Sequence, residues 1–283
     1  MKLYIITILV ILNQCVSSQE IQGYDTSNVK YEWDIYYTEE KDSLQSLDVY
    51  WNSKLKNDKV LLFVHGGGWL SGDKKQYREM AAHLAEKGIT VVLTNYRLSP
   101  KVKYPVHTED AAAAINWTFN FINNYNGDNK NIYLMGHSAG GHIASLVVCD
   151  EKFLTKYNLN LGNIAGAITI SGVFEIKPQE GGATEKYLGM VFGNDETIWK
   201  KASCKTYINE AAKDKLPGFL ISWSNEEEGL IINESKNIIE EFKGAGIKFQ
   251  SYIFEGKNHY NFINELKNKE SGFFEKVMQF MGP

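Results

Sequence analysis

The sequence predicts an α/β protein in which helices cover both faces of a mostly parallel sheet. Three observations carry this. First, short apolar runs alternate with longer segments of helical period from residue 60 to the C-terminus. Second, the runs at 60–64, 89–94, 132–135, 164–170, 219–223 and 249–254 are apolar at almost every position, as befits strands buried on both sides. Third, 283 residues at 43% hydrophobic and 23% charged match one extended globular domain. The formal net charge of −4, with no long basic run, argues against nucleic acid, whose phosphates need clustered Lys and Arg.

The elements follow in order. Residues 31–37 and 47–51 alternate apolar and polar positions and read as two antiparallel edge strands. Helices are expected over 77–87, 109–123, 140–148, 230–243 and 262–281. Gly88 and Gly244 stand where helix C-termini favour a left-handed residue. Residues 172–215 break the rhythm with Gly181-Gly182, Gly189, Gly193 and scattered aromatics. They are expected to form a short cap inserted between two strands.

The N-terminus has its own pattern. Lys2 precedes a short apolar run from Leu3 to Leu12, and Val16-Ser17-Ser18 supplies small residues. This reads as a secretory signal peptide cut after Ser18, leaving 19–283 as the mature domain. The alternative, an uncleaved anchor, needs about 20 apolar residues. No later segment has the length and apolarity of a membrane span. The expected location is therefore the secretory lumen or outside the cell. Cys15 would leave with the signal, and Cys149 and Cys204 would remain, either bridged or as buried thiols. Asn116-Trp117-Thr118 and Asn233-Glu234-Ser235 match the N-glycosylation sequon.

Chemistry concentrates in two glycine-rich stretches. Gly136-His137-Ser138-Ala139-Gly140 follows a strand-like run and opens a helix-like one. That setting suits a nucleophile elbow, where a sharp turn presents Ser138 at a helix N-terminus whose dipole favours developing negative charge. His65-Gly66-Gly67-Gly68-Trp69 follows the strand at 60–64. Consecutive glycines let backbone N–H groups face a ligand, as an oxyanion hole requires. The expected donors are the amides of Gly67, Gly68 and Ala139. No Gly-Lys-Ser/Thr or Gly-x-Gly-x-x-Gly follows, so a nucleotide loop is disfavoured.

HGGGW, then NYRLSP at 95–100, then GHSAGG, resemble the carboxylesterase and hormone-sensitive-lipase-like branch of the α/β-hydrolase superfamily. They are similar, too, to feruloyl-esterase-like and kynurenine-formamidase-like proteins. The resemblance extends from about residue 31 to the C-terminus. It implies an eight-stranded sheet, a serine triad, hydrolysis through an acyl-enzyme, and no cofactor.

The triad order Ser, acid, His selects His259 among the six histidines, in Gly256-Lys257-Asn258-His259-Tyr260 beyond the last strand. For the acid, the family usually carries a Gly-x-x-Asp turn after the preceding strand. Here Ser224 stands at the glycine position and no Asp follows. Counting from Ser224 places Glu227 at the acid position, with Glu226 and Glu228 as competitors. His65 is expected to support its loop rather than act as base. His83, His107, His137 and His142 lack metal-ligand spacing, and no metal site is expected. Arg97 and Asp110 read as structural.

The expected function is hydrolysis of small or medium carboxylic esters, with a small-molecule ester as the partner. An arylformamidase and a non-catalytic secreted binding protein on the same scaffold are the alternatives. The sequence leaves the oligomeric state open.

Overall fold

The computed structural model describes residues 27–282 apart from 57, 179–182, 210–211, 228, 260, 262 and 269. The signal-peptide reading and Cys15 lie outside the described residues. Eight strands form one sheet: β1 Val29–Tyr36, β2 Ser46–Asn52, β3 Lys59–Val64, β4 Ile89–Thr94, β5 Ile132–His137, β6 Ile164–Ile170, β7 Gly218–Ser224 and β8 Phe249–Phe254. Their order is β1-β2-β4-β3-β5-β6-β7-β8. β2 runs antiparallel to both β1 and β4, and every other pairing is parallel. This is the α/β-hydrolase fold that the motifs imply. Only β1 of the expected antiparallel pair lies at an edge, and parallel β8 forms the opposite edge.

Side-chain alternation along the central strands separates two cores. Val60, Leu62, Val64, Ile132 and Leu134 point to one face. They meet helices α2 Val106–Phe121, α3 Ala139–Cys149 and α7 Gly229–Ala245. Leu61, Phe63, Val91, Leu93 and Met135 point to the other. There they meet α1 Arg78–Glu86, α8 Ile263–Lys267 and α9 Gly272–Phe280. Both faces of the central strands are therefore dry, which explains why these read as unbroken apolar runs; the run at 249–254 departs from this, because β8 is an edge strand with Gln250, Ser251 and Ile253 exposed. The short helix α4 Lys152–Thr155 follows α3, and α5 Ala183–Val191 and α6 Glu196–Ala202 lie between β6 and β7.

Several expected boundaries shift. α2 begins at Val106, three residues before Glu109, directly after Pro105. The single helix expected over 262–281 is two, α8 and α9. Ser271 opens the second by accepting from the Phe274 amide through its side chain, a side-chain N-cap. Gly244 lies inside α7, and Gly246 at φ +69° takes the left-handed position. The Gly246 and Ile247 amides donate to the Lys243 and Phe242 carbonyls, closing a Schellman motif.

Cys149 ends α3 and pairs with Cys204, with Cα atoms 5.7 Å apart. The bridge ties the inserted segment to the helix that follows Ser138. Arg97 grips Asp110 through Nε and a terminal nitrogen at 2.9 and 2.7 Å, and Gln45 donates to the same buried carboxylate. Together they join the turn before β2, α2 and the loop after β4, in keeping with a structural role for Arg97 and Asp110. Both sequons sit inside helices, with the Thr118 and Ser235 hydroxyls buried. No described helix is long and apolar enough to cross a membrane.

Candidate active site

Ser138 links β5 to α3 with φ 53° and ψ −119°, a region that costs a non-glycine residue on the order of 1–3 kcal/mol. Neighbouring backbone holds the turn. The Ser138 amide donates to the Ile170 carbonyl at the end of β6 at 2.8 Å, and its carbonyl accepts from the His142 amide at 3.0 Å. The flanking glycines answer a packing demand. A Cβ on Gly136 would fall 2.1 Å from the Gly140 carbonyl oxygen, and one on Gly140 would fall 2.1 Å from that of Val64. The turn thus stacks backbone on backbone against the end of β3.

The loop after β3 lies against this turn. A Cβ on Gly66 would sit 3.3 Å from the Ser138 Cβ. His65 Nδ1 donates to the Gly66 carbonyl at 2.7 Å. The Gly67 carbonyl accepts from the amides of Leu70 and Ser71 at 3.2 and 3.0 Å, and from the Ser71 hydroxyl at 3.0 Å. In a trans peptide the C=O and the following N–H point opposite ways. Tying back the Gly66 and Gly67 carbonyls therefore turns the N–H groups of Gly67 and Gly68 away from those bonds. No described residue accepts from the amides of Gly67, Gly68 or Ala139. Burial lowers the His65 pKa to about 4, so the ring is neutral near pH 7 and its Nδ1 proton serves the loop.

Trp69 extends the framework. Its indole N–H donates to His142 Nδ1 at 3.2 Å, and His142 Nε2 donates to the Ala202 carbonyl at 2.7 Å. With Nδ1 accepting, the proton resides on Nε2. Burial lowers the His142 pKa to about 4, which keeps this tautomer neutral. The chain of bonds connects the glycine loop, α3 and the end of α6.

His259 lies beyond β8 and Glu227 beyond β7, on adjacent loops. His259 Nδ1 is 3.1 Å from Glu227 Oε1, and the Glu227 side chain is only 1% exposed. The Ser171 hydroxyl donates to the same oxygen, while the Ser224 amide donates to Oε2 at 3.2 Å. The Ser224 hydroxyl donates to the Lys257 carbonyl and joins the two loops. His137 Nε2 donates to the His259 carbonyl at 2.9 Å, with the two rings 4.7 Å apart. His259 is thereby fastened to the residue that precedes Ser138. Of the three glutamates weighed from sequence, Glu227 meets the imidazole, Glu226 is exposed, and Glu228 lies outside the described residues. Ser171 was not singled out by sequence. It stands alone after an apolar strand, and only the pairing of β6 with β7 brings it to Glu227.

Isoprenylcysteine alpha-carbonyl methylesterase ICME of Arabidopsis thaliana is 26% identical over 247 residues, covering 82% of this chain and 58% of that protein. Kynurenine formamidase of Danio rerio is 21% identical over 240 residues, covering 84% and 78% respectively. The chain spans about half the length of the plant methylesterases it matches. The crystal structure of esterase B from Lactobacillus Rhamnosis superposes with a TM-score of 0.75 at 22% identity, over 90% of this chain and 86% of that one. The BD-FAE family model matches residues 47–242, from β2 through most of α7, and by that match over well more than half its length the chain belongs to the BD-FAE family.

Proposed function

We propose that the chain is a serine hydrolase that cleaves carboxylic esters of small or medium acyl groups through an acyl-enzyme on Ser138. The observation that carries this reading is the pairing of buried Glu227 with half-buried His259, fastened through His137 to a strained serine turn. With Nδ1 turned to Glu227, Nε2 of His259 is the nitrogen that takes the Ser138 proton as Oγ attacks the ester carbonyl. Glu227 accepts from Nδ1–H and stabilises the imidazolium. The carbonyl oxygen gains the electron pair and is met by the amides of Gly67, Gly68 and Ala139. Collapse expels the alcohol, which takes its proton from His259. Water then repeats the sequence on the acyl-enzyme, releasing the acid and restoring Ser138.

The small-acyl part rests on the inserted segment, which is short and not strongly apolar. A fluorophosphonate probe is expected to label the protein, and Ser138→Ala to abolish labelling. Well-folded protein that takes no label would instead favour a non-catalytic binding protein. Short p-nitrophenyl esters should be turned over faster than long-chain triacylglycerol, and the reverse ranking would sink the acyl-size part.

A second reading, arylformamidase, is favoured by the share of the zebrafish formamidase that the chain spans. The same groups would expel an arylamine and release formate. The ratio of kcat/KM for N-formylkynurenine to that for an aryl acetate separates the two. The Cys149–Cys204 bridge, together with the signal-like residues 1–18, supports action in the secretory lumen or outside the cell. Expression in secretory cells should yield a secreted chain beginning at residue 19.

A further inference from the structure

We propose that Tyr187 is a positioning residue for the oxyanion donors, acting from the inserted segment through the peptide of Gly68; this rests on the ester-hydrolase reading above. The Tyr187 hydroxyl, on α5, donates to the Gly68 carbonyl at 2.6 Å. Its ring lies beside Trp69, with centroids 6.3 Å apart. Burial raises the phenol pKa to about 12, so it remains a donor at neutral pH.

Gly68 is the weak point of the glycine loop. It adopts φ +61°, and glycine rotates between wells more freely than any other residue. Two peptide planes flank it. The plane carrying its N–H is held through the Gly67 carbonyl by Leu70 and Ser71, from within the loop. The plane carrying its C=O receives Tyr187 from outside. Holding both planes restricts φ and ψ of Gly68 and therefore the direction of its N–H. The fit is mutual, because a Cβ on Gly68 would fall 2.0 Å from the Tyr187 hydroxyl oxygen.

The helix that presents Tyr187 is itself anchored. The Tyr104 amide donates to the Val191 carbonyl at 2.8 Å, and Lys103 Nζ donates to that of Gly189 at 3.1 Å. Leu188 and Val191 are buried. The hydroxyl thus comes from a fixed support, as preorganised stabilisation of an oxyanion requires. The inserted segment, whatever surface it offers a substrate, also sets the geometry of the loop beneath it.

Tyr187→Phe removes the hydroxyl and keeps the ring. With p-nitrophenyl butyrate, kcat is expected to fall about tenfold, less than the roughly 10²–10³-fold of losing a donor outright, with KM within about twofold. Affinity for a trifluoromethyl ketone, whose adduct carries the oxyanion, should fall by the same factor as kcat. In a Gly68→Ala background the hydroxyl is already displaced, so adding Tyr187→Phe should change kcat no further. An unchanged kcat, an effect confined to KM, or additive losses in the double variant would each overturn the proposal. Assays run well below the measured Tm of each variant, and Tyr187→Met, which also lacks a donor, takes the place of the phenyl variant if that one does not fold. Wild type that labels with a fluorophosphonate while Tyr187→Phe keeps full kcat overturns this proposal alone. Wild type that neither labels nor turns over ester overturns the underlying reading with it.

Discussion

At the scale of single residues, Glu227 does three things with two oxygens. It accepts from the Ser171 hydroxyl, from the Ser224 amide and from the His259 ring, at 1% side-chain exposure. A buried carboxylate is tolerated when its lone pairs are filled in this way. Glu227→Gln keeps the shape, removes the charge that stabilises the imidazolium, and offers an N–H where His259 needs an acceptor. In the proposed mechanism kcat should fall about 10²–10⁴-fold, while exposed Glu226→Gln stays within about twofold. Steady-state kinetics on an aryl ester check both, and equal losses at the two positions would defeat the assignment. Ser138 and His259 were legible in sequence because each follows an apolar strand run and the chain order is fixed. Glu227 was legible by its count from Ser224, with Glu226 and Glu228 as neighbouring competitors. Ser171 and Tyr187 were not legible at all, because no local pattern surrounds them. Their partners, Glu227 and Gly68, lie 56 and 119 residues away in sequence.

Among the elements, strands were easier to read than helix ends. Burial on both faces writes the central strands directly into the sequence as apolar runs, and each expected run overlaps an observed strand, the half-exposed edge strand β8 included. Helix termini depend on which glycine or serine the backbone recruits. Gly244 and Gly246 are both plausible stops in Lys243-Gly244-Ala245-Gly246. α7 uses the second, and Ala245 and Ile247 on either side of it are both in the core. The pair makes a prediction with opposite signs. Gly244 is helical and exposed, and a Cβ there meets nothing within 4 Å, so Gly244→Ala should stabilise by about 0.5–1 kcal/mol. Gly246 needs φ +69°, so Gly246→Ala should destabilise by about 1 kcal/mol or more. Urea unfolding of the two variants checks the placement, and shifts of the same sign would contradict it. In the same way, the split of 262–281 at Ser271 arises from a side-chain cap that an apolar pattern over twenty residues does not show.

For the whole molecule, buried neutral histidines couple the framework of the candidate site to pH. Burial lowers the pKa of His65 and His142 to about 4 and that of His107 to about 3, from an ordinary 6.5. The folded state therefore binds fewer protons than the unfolded one below pH 6.5. Stability from these groups is full above that value and is lost progressively as pH falls toward 4. For His65 and His142 the loss approaches about 3 kcal/mol each at the bottom of the window. Glu234 opposes this trend. Burial raises its pKa, so its contribution is full below the ordinary carboxyl range and is lost as pH rises through the folded value. Burial also pushes His137 well below the ordinary value, so four histidines outweigh Glu234 and the urea midpoint should drop steeply between pH 6.5 and 4. His142→Gln isolates one share of that slope. An amide can accept from the Trp69 indole and donate to the Ala202 carbonyl, as His142 does, but it does not titrate. The variant should keep near-native stability at pH 7.5 and lose less than the wild type on acidification, by about 3 kcal/mol at pH 4. A slope equal to the wild type's would mean that His142 already carries its proton in the fold. The indole N–H and the charged ring would then point two donors at each other, so the Trp69–His142 bond that ties the glycine loop to α3 would have to break.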